Sequence, residues 1–130
     1  MEAEILAHLQ ADTTITAAFA RLSLADSITA LEQPSYPAAE IFDTGTGAES
    51  APSKRGERQV VTHQVAVKII SERTVAAAKR KLIRDSLIGW QPSGAIGPLR
   101  YERGQLQQLS ADAVIWLDVF AVDALEIREP

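Results

Sequence analysis

A chain of 130 residues with 46% hydrophobic and 23% charged side chains is long enough for one domain with its own core and ordinary in composition for a globular fold. The absence of cysteine excludes disulfides and thiolate metal sites, and two histidines, His8 and His63, leave little for a metal centre. The net charge of −4 is unevenly spread: residues 1–50 carry one basic and eight acidic side chains, residues 51–103 eleven basic and four acidic, and residues 104–130 one basic and five acidic. Such a dipolar chain suits contacts between copies that bring opposite signs together. No apolar run approaches the roughly 18 residues of a membrane helix. The acidic start Met1-Glu2-Ala3-Glu4 does not resemble a secretory leader. The expected location is the cytoplasm, or a particle assembled there.

In chain order, Glu2–Gln10 reads as a short helix with Ile5, Leu6 and Leu9 at helical spacing and acids in its first turn. Asp12-Thr13-Thr14 breaks it and caps a second piece, Ile15–Leu22. Ser23–Gln33 fits either a helix or a strand beginning near Ser27, and Pro34 and Pro37 end whatever precedes them. Ala38–Phe42 reads as a strand. Residues 43–58 carry Thr, Gly, Ser, Pro and charge without an apolar period, and so read as one long polar loop.

Gln59–Ile70 is the clearest strand, with Val61, Val65, Val67 and Ile69 on one face beside His63. Thr74 is placed to cap a helix from Val75 to Ile88, apolar at Val75, Ala78, Leu82, Ile83 and Leu87. Lys79, Arg80, Lys81 and Arg84 then cover its remainder as a basic face. Gly89 stands where a helix is commonly closed by a left-handed residue. Ile96–Arg103 supplies a short strand, Gly104–Ser110 a turn, and Ala113–Val122 a strand apolar on both faces except at Asp118, which suggests a central position. The class is α+β: one domain over 1–130, a mostly antiparallel sheet of about four strands, a main helix packed across it and short N-terminal helices.

Reactive constellations are sparse. No Gly-x-Ser-x-Gly elbow is present. Gly45-Thr46-Gly47 leads into no helix. Asp112 and Asp118 would stand about 20 Å apart along an extended strand, too far for a paired acid and base. No cofactor is expected. The basic residues Lys54, Arg55 and Arg58, with Lys79, Arg80 and Arg84, form two cationic clusters. These serve as candidate subunit-interface residues or, alternatively, as a small nucleic-acid- or ligand-binding module using helix 79–84 and loop 54–58. An enzyme on a ferredoxin-like α+β scaffold is a third class that such a fold permits. Trp90 and Trp116 read as packing residues.

The ordered pieces Pro37-Ala38-Ala39-Glu40-Ile41-Phe42, Arg58-Gln59-Val60-Val61 through Val67-Lys68-Ile69-Ile70, Ile83-Arg84-Asp85-Ser86-Leu87-Ile88-Gly89-Trp90-Gln91-Pro92, Pro98-Leu99-Arg100-Tyr101-Glu102-Arg103-Gly104-Gln105-Leu106 and Ala113–Phe120 resemble the tail terminator family of long-tailed bacteriophages. The likeness covers residues 34–122. It implies a non-enzymatic structural protein in the virion, a homo-oligomeric ring of six on the head-proximal end of the tail tube. It also implies contacts with the tail tube protein and a head-completion or neck protein, and genome DNA passing through without sequence-specific binding. No membrane partner is implied.

Overall fold

The computed structural model describes residues 1–24, 37–48 and 58–127. Helices α1 (Glu2–Ala11) and α2 (Thr13–Ala18) lead into strand β1 (Arg21–Leu24). Strands β2 (Ala38–Ala48) and β3 (Arg58–Glu72), a 3-10 turn (Arg73–Val75) and helix α3 (Ala76–Leu87) follow, then β4 (Arg100–Leu109) and β5 (Ala113–Ile127). The five strands form one sheet in the order β1-β2-β3-β5-β4, antiparallel throughout except for β1 beside β2.

The α+β class, the sheet and the packed main helix agree with the sequence, and the strand count is five rather than about four. The added strand, β1, begins at Arg21, where the sequence suggested the end of a helix. The strand anticipated near Ser27 falls outside the described residues. Asp12 does cap α2, its Oδ1 accepting from the amides of Thr14 (3.0 Å) and Ile15 (3.4 Å).

Two segments read as loop or turn are strand. Asp43–Ala48 continues β2, paired with Val61–Val65 of β3, so the connection expected over 43–58 shortens to 49–57. A bulge at Thr44 breaks the alternation, and Gly45 and Gly47 supply no side chains to show a period. Gly104–Leu109 likewise belongs to β4, where the register shifts at Glu102 and Gln107. These bulges place Tyr101, Gly104, Leu106 and Leu109 on one face, opposite Phe120, Asp118, Trp116 and Val114. The period-2 signal is thereby erased from the sequence while the strand persists.

One face of the sheet receives all three helices. Ala39, Ile41, Val65, Val67, Ile69, Phe120 and Val122 from the strands pack with Ile5, Leu9, Ile15, Phe19, Ile83, Leu87 and Leu99. The face of α3 that is buried differs from the expected one: Val75 and Ala78 are exposed, and Ala76, Ile83 and Leu87 are buried. The buried positions are 76, 83 and 87, and half-buried Arg80 lies within that stripe. Thr74 makes no cap; the 3-10 turn starts the helix instead. Gly89 (φ +87°) closes it in the left-handed region. Its amide donates to Leu99 O (3.1 Å), and Leu99 N donates back to Trp90 O (2.7 Å), which fixes the return into β4.

The opposite face carries a smaller cluster of Ala38, Ile70 and Ile115 and a buried charge system. Glu40 and Lys68 are register partners. Lys68 Nζ, fully buried, stands 3.5 Å from Glu40 Oε1, and Arg21 reaches Glu40 Oε2 at 2.8 Å. Because α3 is anchored by few large side chains, Ile83→Ala is expected to destabilise the fold by about 2–5 kcal/mol, through lost burial and a residual cavity. Urea denaturation measures this as a fall in midpoint at unchanged slope.

Candidate functional site

Asp118 lies in the middle of β5 with its side chain wholly buried under α3. A lone carboxylate there would be prohibitively costly, so its oxygens are taken up by a planar guanidinium. Arg80 Nε donates to Asp118 Oδ2 (3.1 Å) and Arg80 Nη2 to Oδ1 (2.8 Å). The Tyr101 hydroxyl donates to Oδ1 at 3.0 Å and accepts from Arg80 Nη2 at 3.3 Å. The guanidinium carbon sits 4.0 Å from the Trp116 ring centroid, a cation–π stack. The hydrogen bonds to Asp118 hold the Arg80 guanidinium still more firmly charged than usual.

Beneath this cluster β4 passes through Gly104, the register partner of Asp118. A Cβ at 104 would collide with the Arg80 guanidinium and the Tyr101 hydroxyl and stand 2.7 Å from Asp118 Oδ1. Glycine is required there by close approach rather than by backbone conformation. Arg84, one helical turn after Arg80, places its guanidinium 5.5 Å from the Tyr101 ring.

A second polar knot joins the three helices. Ser86 Oγ donates to Asp12 Oδ2 (2.9 Å), and its carbonyl accepts from His8 Nε2 (2.9 Å). The His8 ring stacks on Trp90 at 4.0 Å between centroids and 18° between planes. The Ser86 hydroxyl, then the α2 amides and His8, hold the Asp12 carboxyl below its ordinary value; desolvation opposes them.

The candidate residues read from the sequence therefore separate. Lys79 donates to Ala18 O (2.7 Å) and lies over the Phe19 ring; Arg80 is committed to Asp118; Lys81 pairs with Asp85 at 2.6 Å. The helix's basic side chains are thus largely occupied by internal partners rather than forming one solvated face. Arg84 has no carboxylate at ion-pair distance among the described residues. Arg58 opens β3 at the far end of the sheet from α3's first turn, and Lys54 and Arg55 lie outside the described residues. Trp116 is half-buried rather than core. It lines an open groove of about 150 Å³ with Arg73, Ala76, Leu106, Leu109 and Val114. Among the described residues no group of three or more His, Asp or Glu is placed to hold a metal ion, and no helix is long and apolar enough to cross a membrane.

Asp118 was the one signal for the Arg80 network: a single acid within an apolar strand demands a cation from whatever covers it. Replacing it alone, as Asp118→Asn, is expected to cost about 3–5 kcal/mol because Arg80 is left uncompensated, whereas Asp118→Leu with Arg80→Met together is expected to cost much less. A double-mutant cycle by urea denaturation measures the coupling. Gly104→Ala is expected to lose about 1–3 kcal/mol by overpacking in the same assay. Asp12 sets an acid limit. Its folded-state pKa is lowered from 3.8, so its contribution is present above that value and is lost as pH falls through the folded pKa. Thermal melts through this acid range are expected to show a shallower loss of Tm in Asp12→Asn than in the unsubstituted protein.

Compared with known proteins, residues 4–129 match the model of the family described as phage tail terminator protein. Among solved structures, a chain of the virion of a native gene transfer agent particle superposes with a TM-score of 0.67 at 18% identity, covering 97% of this chain and 95% of that one. At that identity the likeness establishes the fold. No curated protein matches the chain. With a family match across nearly the whole domain, this chain belongs to the phage tail terminator family and is a structural protein of the virion tail.

Proposed function

We propose that this protein caps the head-proximal end of the tail tube as a six-membered ring, stops addition of tube subunits, and offers its outer surface to the head-completion or neck protein. The observation that carries this reading is the family match over residues 4–129. In it the genome passes through the ring without sequence-specific contacts, and the partners are the tail tube protein and the neck. No reaction is required of the chain. The Arg80–Asp118–Tyr101 cluster is read as a structural clasp, since both Asp118 oxygens, the Tyr101 hydroxyl and Arg80 Nε and Nη2 are directed at one another.

The alternative of a nucleic-acid module on helix 79–84 and loop 54–58 is weakened by the internal engagement of Lys79 and Arg80, which leaves Arg84 as the cation of that helix available to a phosphate or to a partner. Of the six sequence-derived interface candidates, Arg84 is therefore the one chosen for substitution.

The reading is tested by adding the purified protein to tail tubes that are still elongating. Negative-stain images are expected to show rings on one tube end, with elongation halted; tubes that lengthen undisturbed and end bare refute it. Arg84→Glu is expected to reduce ring formation while changing folding stability by less than about 1 kcal/mol. Lys79→Glu and Arg80→Glu are expected to lower stability itself, by breaking the contacts to Ala18 and Asp118.

A further inference from the structure

The sheet ends in two unlike edges. Among the described strands β4 is one and β1 the other, with β2, β3 and β5 between them. Four strand spacings of about 4.8 Å separate the two outer strands by about 19 Å. An exposed edge strand is normally blunted by charge, bulges or shortness. β1 is short, at four residues. β4 has ten residues, two bulges and exposed polar side chains, yet it keeps Leu106 and Leu109 at 43% and 54% exposure. Both leucines border the groove floored by Val114 and Trp116.

The charges at the edges also differ. At β4, Arg84 lies on Tyr101 from the helix side; Arg103 lies on the other face, opposite Val119, where Arg100 is paired with Asp123 at 3.2 Å. Glu102 is the single acid of that strand. At the β1 side, α1 packs on β1 and β2. There Glu2 Oε2 accepts from the Asp43 amide (2.9 Å), and Arg21 of β1 is paired with Glu40 at 2.8 Å. Leu24 on β1 is exposed at 39%. One edge thus offers Arg84, Arg103 and two exposed leucines beside a groove, and the other Glu2, Asp43 and one exposed leucine.

We propose that the β4 edge of one copy seats against the β1–α1 edge of the next copy, an inference that rests on the ring reading above. Two different, complementary patches on one subunit generate a head-to-tail contact, which closes into a ring when the rotation permits, whereas a self-complementary patch stops at a dimer. Arg84, on the helix side of the β4 edge, faces Glu2 and Asp43 of the neighbouring copy, and Leu24 approaches the groove beside Leu106 and Leu109. Opposed charges of this kind select register and partner orientation more than raw affinity.

The absence of cysteine makes the contact directly testable. Leu24→Cys and Gln108→Cys place one thiol on each edge, and a short bis-maleimide is applied to the full chain assembled on tail tubes. The double variant is expected to give a ladder of covalent oligomers, with each single variant remaining monomeric on a denaturing gel. Dimers from Gln108→Cys alone would reveal a β4-to-β4 contact and overturn the proposal. Rings visible in images of the double variant without any cross-linking would place the interface elsewhere, leaving the ring reading intact. Absence of rings in the unsubstituted protein would overturn the ring reading and this inference with it. As a second measurement, Arg84→Glu is expected to weaken assembly about tenfold and Arg84→Glu with Glu2→Arg to recover it; unchanged assembly in Arg84→Glu, or no recovery in the pair, counts against the contact.

Discussion

Burying Asp118 under α3 is the constraint on which the arrangement of this domain turns. A carboxylate taken from water loses hydration worth several kcal/mol, and only close, well-directed partners return it. Arg80 supplies two hydrogen bonds and Tyr101 a third. The geometry sets the rotation of α3 about its axis, because Arg80 has to point at the sheet while Ile83 and Leu87 follow it into the core. It also sets where the helix lies along β5. Since Tyr101 comes from β4 and Gly104 leaves room for the cluster, the same interaction fixes the outermost strand. A helix turned to bury Val75 and Ala78 would have been at least as apolar. It would have left Asp118 without a partner.

A second charge system works on the other face. Glu40, Lys68 and Arg21 come from β2, β3 and β1, so the pair across β2–β3 and the ion pair from β1 tie three strands together. A one-residue slip of any strand would move its charges to the opposite face, exchanging an acid or base for an apolar residue in each cluster. Apolar runs such as Val65–Ile70 or Ile115–Phe120 tolerate either face on hydrophobicity alone. Charges buried on opposite faces of the sheet, Lys68 on β3 and Asp118 on β5, remove that degeneracy. The cost is stability forgone relative to an apolar core, and the return is a single register over two strands of fifteen residues each.

This explains which parts of the fold were legible in the sequence. β3, β5 and the closing glycine of α3 were readable because period, length and turn chemistry agree there. The outer half of β2 and most of β4 were not, because the bulges at Thr44, Glu102 and Gln107 erase alternation, and Gly45, Gly47 and Gly104 carry no side chain to count. β1 was hidden because four residues cannot establish a period. Arg80 was assigned to solvent for a related reason: the length of an arginine lets it reach a partner in the core from a half-buried position, and spacing along a helix does not reveal a partner on a distant strand. Asp118 was visible as an interruption, but its meaning required knowing that α3 crosses β5.

The same physics separates identity from function here. The residues that make the chain recognisable, around Gly89-Trp90, Arg100–Gly104 and Trp116–Phe120, are those that orient α3 and close the β4–β5 pair. Among them Tyr101 and Asp118 spend their polar groups on each other and on Arg80. In the contact proposed above, assembly would fall to what this clasp positions: the bulged β4 edge with two exposed leucines on one side of the sheet, and the α1–β1 margin on the other. Because the clasp joins α3 to both β4 and β5, it makes the helix and that edge one rigid piece, so the angle between successive copies would be set by buried Asp118 and Arg80 even though neither touches a neighbour. A ring that must close at a fixed number of subunits needs such an angle to be stiff, and surface contacts worth a fraction of a kcal/mol each cannot hold it. In the proposed ring, buried charge, costly as it is for stability, would supply that stiffness.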